Sequence, residues 1–183
     1  SDEGFYAEAA REMVASNDWI TPHYNYEYRW QKPVLYYWLS SATYLLTGAS
    51  EFGARFWAAM AGLGLVLITA AAGRRWYDET TGLLAGAIVA TNFGYFYMAR
   101  MALPDLPLTF CITLATWAGM VSTLESERSP RTFVMLAAMG LGAGFLMKGP
   151  VGVVIPLLVL LPILMIERRS IALTPIDLVL GFV

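Results

Sequence analysis

The chain has 183 residues, of which 57% are hydrophobic and only 14% charged, against about a quarter charged in a typical soluble domain. With a mean hydropathy of +0.54, this composition excludes an ordinary soluble enzyme and points to an integral membrane protein. A net charge of -2 with no basic run excludes a nucleic-acid partner, and the single cysteine, Cys111, excludes an internal disulfide.

The sequence opens without an initiator Met or a secretory leader, and its last apolar run, residues 176–183, is barely two helical turns long. We therefore expect a piece of a longer protein. Residues 4–15 set Phe5, Ala9 and Met13 on one stripe with Tyr6, Ala10 and Val14 beside it, and leave Glu8, Arg11 and Glu12 opposite. This spacing predicts an amphipathic helix lying along an interface. Ser16-Asn17-Asp18 should end it, and Pro22 prevents a quick restart. Tyr24, Tyr26 and Tyr28 then alternate, which suits a short extended run. Trp19, Trp30, Tyr36, Tyr37, Trp38 and Tyr44 surround that run. Such density suits a belt at headgroup depth for most of these rings, with sugar stacking open for one or two. Pro33 opens a second short helix to about Thr47, ended by Gly48.

Five charge-free stretches follow, at 56–73, 80–99, 106–124, 132–147 and 149–166. Each is near the roughly 20 residues that a helix needs to cross a bilayer core of about 30 Å. The expected organisation is an external segment over residues 1–50 with two juxtamembrane helices, then a bundle over 51–183 with five spans and the start of a sixth. Gly140, Gly142 and Gly144 offer a flank for close helix contact in lipid. Arg74, Arg75, Arg128, Arg131, Arg168 and Arg169 fall on one side of these spans, while Arg100 and Lys148 are the cations in the short loops of the other. The positive-inside rule makes the first side cytoplasmic.

Counting spans places Asp2, Glu3, Lys32, Arg55, Arg100, Asp105 and Lys148 together on the extracytoplasmic side. Ionisable groups at span ends pair with one another, line a wet cavity or bind a charged ligand. The cations suit a phosphate, and a neighbouring carboxylate suits a general base on an acceptor hydroxyl. Plainer roles stand beside these: helix-capping acids for Asp2, Glu3 and Asp105, and snorkelling anchors for Arg55 and Arg100. Tyr6, His23 and Trp30 are candidate substrate contacts. His23 is the single histidine, so no metal site is expected from it.

Three blocks carry a family resemblance. They are Asp2-Glu3-Gly-Phe-Tyr6-Ala7-Glu8-Ala-Ala-Arg11-Glu12-Met13, then Asp18-Trp19-Ile-Thr-Pro22-His23, then Gln31-Lys32-Pro33. Together they resemble the first external loop of the aminoarabinose transferase and protein O-mannosyltransferase group, polyprenyl-phosphate-sugar-dependent glycosyltransferases of the GT-C fold. The resemblance continues through Glu51 to Arg55, Ala99-Arg100-Met101, Asp105, and Met147-Lys148-Gly149-Pro150. It implies an all-α integral membrane GT-C-type helical bundle with interfacial helices, incomplete here. It implies Asp2 as the catalytic acidic residue with Glu3 its partner and Asp105 an acidic position of the second external loop. It also implies that Lys32 and Lys148, with Arg100 and Arg55 as further candidates, hold the donor phosphate. Where aminoarabinose transferases commonly carry a metal-binding Glu, this chain has Gln31, so neither metal nor other cofactor is expected. The implied partners are a polyprenyl-phosphate-linked sugar, membrane lipids and an acceptor that the sequence does not name. The expected site faces outward from a bacterial inner or plasma membrane. Two other classes compete with an enzyme: a transporter or flippase, which predicts charges at mid-span depth, and a non-catalytic membrane subunit, which predicts a silent Asp2.

Overall fold

The computed structural model describes residues 2–30, 32–125 and 131–167. Gln31, the cations Arg128, Arg168 and Arg169, and the expected sixth span lie outside the described residues. The chain divides into two compact units, Ser1–Pro107 and Leu108–Val183, taken here in turn.

The first unit begins with α1, Glu3–Ser16, which stops where Asn17 turns left-handed at φ 56°. Asp18 Oδ1 then accepts the N–H groups of Ile20 and Thr21, both at 3.0 Å, which turns the chain back. A two-stranded antiparallel hairpin follows, β1 (His23–Tyr24) and β2 (Glu27–Tyr28), with His23 opposite Tyr28. Its two turn residues, Asn25 and Tyr26, both have positive φ, the conformation that matches the twist of a two-residue hairpin.

The hairpin corrects the expected polar face of α1. Tyr26 N–H donates to Glu12 Oε2 at 3.1 Å, and Glu12 is only 4% exposed. The hairpin turn covers Glu12 alone of the three residues that periodicity assigned to solvent, Arg11 and Glu8 keeping an open ion pair, while Phe5, expected on the covered stripe, stays partly open.

Helix α2, Leu35–Thr47, ends at Gly48, whose φ of 74° suits glycine and whose N–H reaches Tyr44 O. It packs parallel to α1. Tyr6 meets Tyr36 and Tyr37 with ring centroids 5.5 and 5.7 Å apart, and one turn further along both helices Ser41 Oγ donates to Ala10 O at 3.0 Å. Tyr36 and Tyr37 are therefore the core of this pairing, 1% and 0% exposed, and not members of an interfacial belt. Tyr26, Tyr28, Trp30 and, to a lesser degree, Trp38 are the open rings of that expected belt. Helix α3, Glu51–Trp76, is capped by Ser50 Oγ, which accepts Gly53 N–H. It is fixed to α2 by Trp57 Nε1, which donates to Leu39 O and Thr43 Oγ1 at 2.7 and 2.8 Å.

The stretch 80–99, expected as one span, is two helices. α4 (Glu79–Thr91) stops at Asn92, which is extended, and α5 (Phe93–Met98) restarts with the Asn92 side chain accepting Tyr95 N–H at 3.1 Å. An asparagine that hydrogen-bonds the following backbone favours a cap over a helix interior. Tyr95 Oη donates to Gly62 O and so anchors α5 on α3.

Helix α6, Asp105–Leu124, starts in the first unit and continues into the second, which adds α7 (Arg131–Lys148) and α8 (Val151–Glu167). α3, α6 and α7 are long and apolar enough to cross a bilayer, while α8, with Pro156 and Pro162 inside it, is a shorter apolar helix. The protein is an all-α integral membrane protein. Gly140 sets the distance between α6 and α7, because a methyl there would lie 2.8 Å from Ala115 N and 2.9 Å from Cys111 O. Backbone cannot yield as a side-chain tip can, so Gly140→Ala is expected to cost about 1–3 kcal/mol. Thermal unfolding in detergent checks this against Gly4→Ala, where the added methyl meets nothing within 4 Å.

Candidate active site

The parallel packing of α1 and α2 brings their N-terminal ends together, so Asp2-Glu3 and Lys32-Pro33 share one end of the first unit. Both helix dipoles present their positive poles there. Asp2 and Glu3 are adjacent in sequence but do different things. The Asp2 side chain makes no capping hydrogen bond, and among the described residues it has neither hydrogen bond nor ion pair. It is exposed at the helix end. Glu3 is spent on structure. Its Oε1 accepts Arg55 Nε at 2.7 Å and the Ala102 N–H at 2.9 Å. The Arg55 bond, aided by the Ala102 bond against the opposing effect of burial, holds the Glu3 carboxyl below its ordinary value.

That triple contact has a consequence for Asp105. Glu3 ties the segment just before α6 to the start of α1, so Asp105, the first residue of α6, is carried to the same end. Tyr6 reports the outcome electrostatically. Burial first and then Tyr37 push its phenol up to about 12, against a downward pull from Arg29, with smaller upward contributions from the carboxylates of Asp105 and Asp2. Tyr6 thus stays a neutral phenol within the fields of both acids, and its hydroxyl has no hydrogen-bond partner among the described residues.

The expected cations separate into two kinds. Arg55 is engaged by Glu3 and by Glu51, at 2.7 and 3.1 Å, which makes it a strut between α1 and α3. Arg100 lies with its guanidinium carbon 4.5 Å from the centre of the Phe96 ring and is otherwise exposed. Lys32 is half-buried and has no ion pair among the described residues. Lys148 is the last residue of α7, before the positive-φ Gly149, and belongs to the second unit.

Of the expected substrate contacts, Tyr6 lies in the first turns of α1, packed on Tyr36 and Tyr37. His23 lines a cavity of about 340 Å³ with Arg11, Glu12, Ser16 and Tyr26, beside the C-terminal half of α1. Trp30 is 74% exposed and stacks on Tyr28 with centroids 6.0 Å apart.

The residue that sequence reasoning left out is Arg29. Its Nε donates to Tyr37 Oη at 3.1 Å, and its guanidinium carbon lies 5.0 Å from the Phe5 ring centre and 5.7 Å from those of Tyr6 and Tyr24. An arginine inside an aromatic run, with no acid at helical or cross-strand spacing, was the available signal.

The chain resembles known proteins along nearly its whole length. The family model for dolichyl-phosphate-mannose-protein mannosyltransferase matches residues 2–180. An undecaprenyl phosphate-alpha-4-amino-4-deoxy-L-arabinose arabinosyl transferase of Aeromonas salmonicida is 33% identical over 174 residues, 92% of this chain and 31% of that protein. An uncharacterised protein of Aquifex aeolicus is 35% identical over 85% of this chain and 31% of its own length. Two crystal structures of ArnT from Cupriavidus metallidurans superpose on 99% of this chain and 35% of their own, each at 27% identity. The TM-scores are 0.89 for the apo state and 0.88 for the form bound to undecaprenyl phosphate. The chain thus spans about a third of the length of the relatives it matches. Matched in sequence from residue 2 to residue 180 and in helical architecture almost throughout, the chain belongs to the dolichyl-phosphate-mannose-protein mannosyltransferase family and has the membrane GT-C fold of an aminoarabinose-transferase-type glycosyltransferase.

Proposed function

We propose that the protein to which this chain belongs transfers a sugar from a polyprenyl phosphate to an acceptor on the extracytoplasmic face of a bacterial inner membrane. The observation that carries the proposal is the division of labour between neighbours: Glu3 is bonded to Arg55 and Ala102, while Asp2 stands unpaired at the helix end, where Asp105 also acts on Tyr6. The relatives named as arabinosyl transferases, and a structural neighbour described as bound to undecaprenyl phosphate, support the donor class.

In this mechanism the bond between the anomeric carbon and the phosphate oxygen breaks, and its electron pair leaves with the phosphate. Lys32 and Arg100 neutralise that leaving anion, which is the main demand on the site. The acceptor oxygen attacks from the opposite face, and its proton passes to the Asp2 carboxylate, so the anomeric configuration inverts. Asp105 orients the acceptor. Glu3 and Arg55 are positioning residues that fix the two acids and touch no reacting atom. The donor's lipid tail lies among the spans, and no nucleotide enters the step. Arg74 and Arg75 in the last turn of α3, some 20 residues from Arg55, support the outward placing of the site by the positive-inside rule.

Membranes holding the full-length protein, supplied with labelled polyprenyl-phosphate sugars, should move label into a lipid, protein or glycan fraction. Label that stays on every such donor would overturn the proposal.

A further inference from the structure

Arg29 is the cation to which the mechanism above gives no task. Three rings and a hydroxyl hold it. Phe5 and Tyr6 come from α1, Tyr24 from β1 and Tyr37 from α2, so the guanidinium joins three elements that pack on one another. What it does not have is a carboxylate. Among the described residues Arg29 makes no ion pair, and of the roughly five N–H donors of a guanidinium only Nε is used. Aromatic faces attract the cation and hold its plane without neutralising its charge.

Its location is equally specific. The Arg29 charge acts on Tyr6 together with Asp2 and Asp105, and Lys32 follows three residues later, before the N-terminal end of α2. A fixed fork of N–H groups, with its charge unspent, therefore stands against the Tyr6 ring and the Tyr37 hydroxyl, near the start of α1. A planar fork matches two oxygens of one phosphate, which a point charge such as Lys32 does not.

We propose that Arg29 is a further donor-binding residue, whose outer N–H groups grip the phosphate of the lipid-linked sugar alongside Lys32. This rests on the donor class proposed above. The aromatic box sets the fork before the donor arrives, so little side-chain freedom is lost on binding.

The test measures binding of undecaprenyl phosphate and of the neutral alcohol undecaprenol to the full-length protein in nanodiscs. Wild type should prefer the phosphate. Arg29→Gln should weaken undecaprenyl phosphate binding by roughly 10- to 150-fold, the span expected for a charge-assisted hydrogen bond, and leave undecaprenol unchanged. Arg29→Lys, which keeps the charge and loses the fork, should recover only part. Equal binding of undecaprenyl phosphate by Arg29→Gln and wild type would overturn the assignment. So would equal losses for both lipids, which would mark Arg29 as a structural pin. A wild-type protein that does not distinguish the two lipids would instead overturn the donor class itself, and the assignment with it.

Discussion

Replacing Asp2 by Asn in the full-length protein is expected to lower the rate of sugar transfer by about 10²- to 10⁴-fold, the usual worth of a positioned general base, with binding of the lipid-linked donor unchanged. The change is nearly isosteric, and the Asp2 side chain has no hydrogen bond or ion pair among the described residues, so it removes a proton acceptor and little else. Thermal unfolding of the variant should match wild type. A non-catalytic membrane subunit would show no loss at all, and an acid that serves only to cap α1 would show loss of stability without selective loss of turnover. Turnover measured beside donor binding separates the three outcomes.

Replacing Glu3 should have the opposite profile. Glu3→Ala removes the acceptor for Arg55 and for the Ala102 N–H and is expected to cost roughly 1–3 kcal/mol of stability, the penalty for orphaning such a donor. Turnover should fall as well, because the start of α1 and the segment before Asp105 are no longer fastened to each other. Glu3→Gln adds a pH signature. The Glu3 carboxyl titrates below its ordinary value of about 4.5, so the bonded carboxylate stabilises the fold fully above that pH and loses its effect as pH falls through the lower folded-state value. The difference in unfolding temperature between wild type and Glu3→Gln should therefore be largest near neutrality and shrink below pH ~4.5. A difference that stays constant with pH would show that the ion pair contributes nothing to stability.

These two neighbours show where the sequence was informative and where it was not. Local chemistry was legible: Asn17 and Asp18 end α1 and Gly48 ends α2, and each acts on backbone within a few residues of itself. Contacts made by the folded chain were not. Glu3 bonds a backbone N–H 99 residues away, and every residue has such a group, so no side-chain pattern could single out Ala102. Glu12 looked polar and outward because helical periodicity assigns faces without knowing that a hairpin will return over one of them. Tyr36 and Tyr37 looked interfacial because tyrosine suits that depth, yet both lie on the face of α2 that packs on Tyr6 of α1, and Tyr36 also donates to Ala54 O of α3, so neither is open. Asn92 was the one polar residue able to interrupt the stretch 80–99, but absence of charge alone registered as a continuous span. Arg29 was hidden for a similar reason: it is held by rings and a hydroxyl from three elements and has no carboxylate partner among the described residues.

Span counting and the resemblance both singled out Asp2 and Lys32 as candidates. Parallel packing of α1 and α2 puts both at one end of the unit, and Glu3 draws Asp105 there too. This clustering lies in a chain that spans about a third of the length of the relatives it matches.

The most direct test is to follow one labelled polyprenyl-phosphate sugar in a reaction with the purified full-length protein and to count released polyprenyl phosphate against sugar transferred. The account predicts one lipid phosphate released per sugar moved, an inverted anomeric centre in the product, and neither with Asp2→Asn. Transfer that requires a nucleotide sugar, or wild-type turnover by Asp2→Asn, would contradict it.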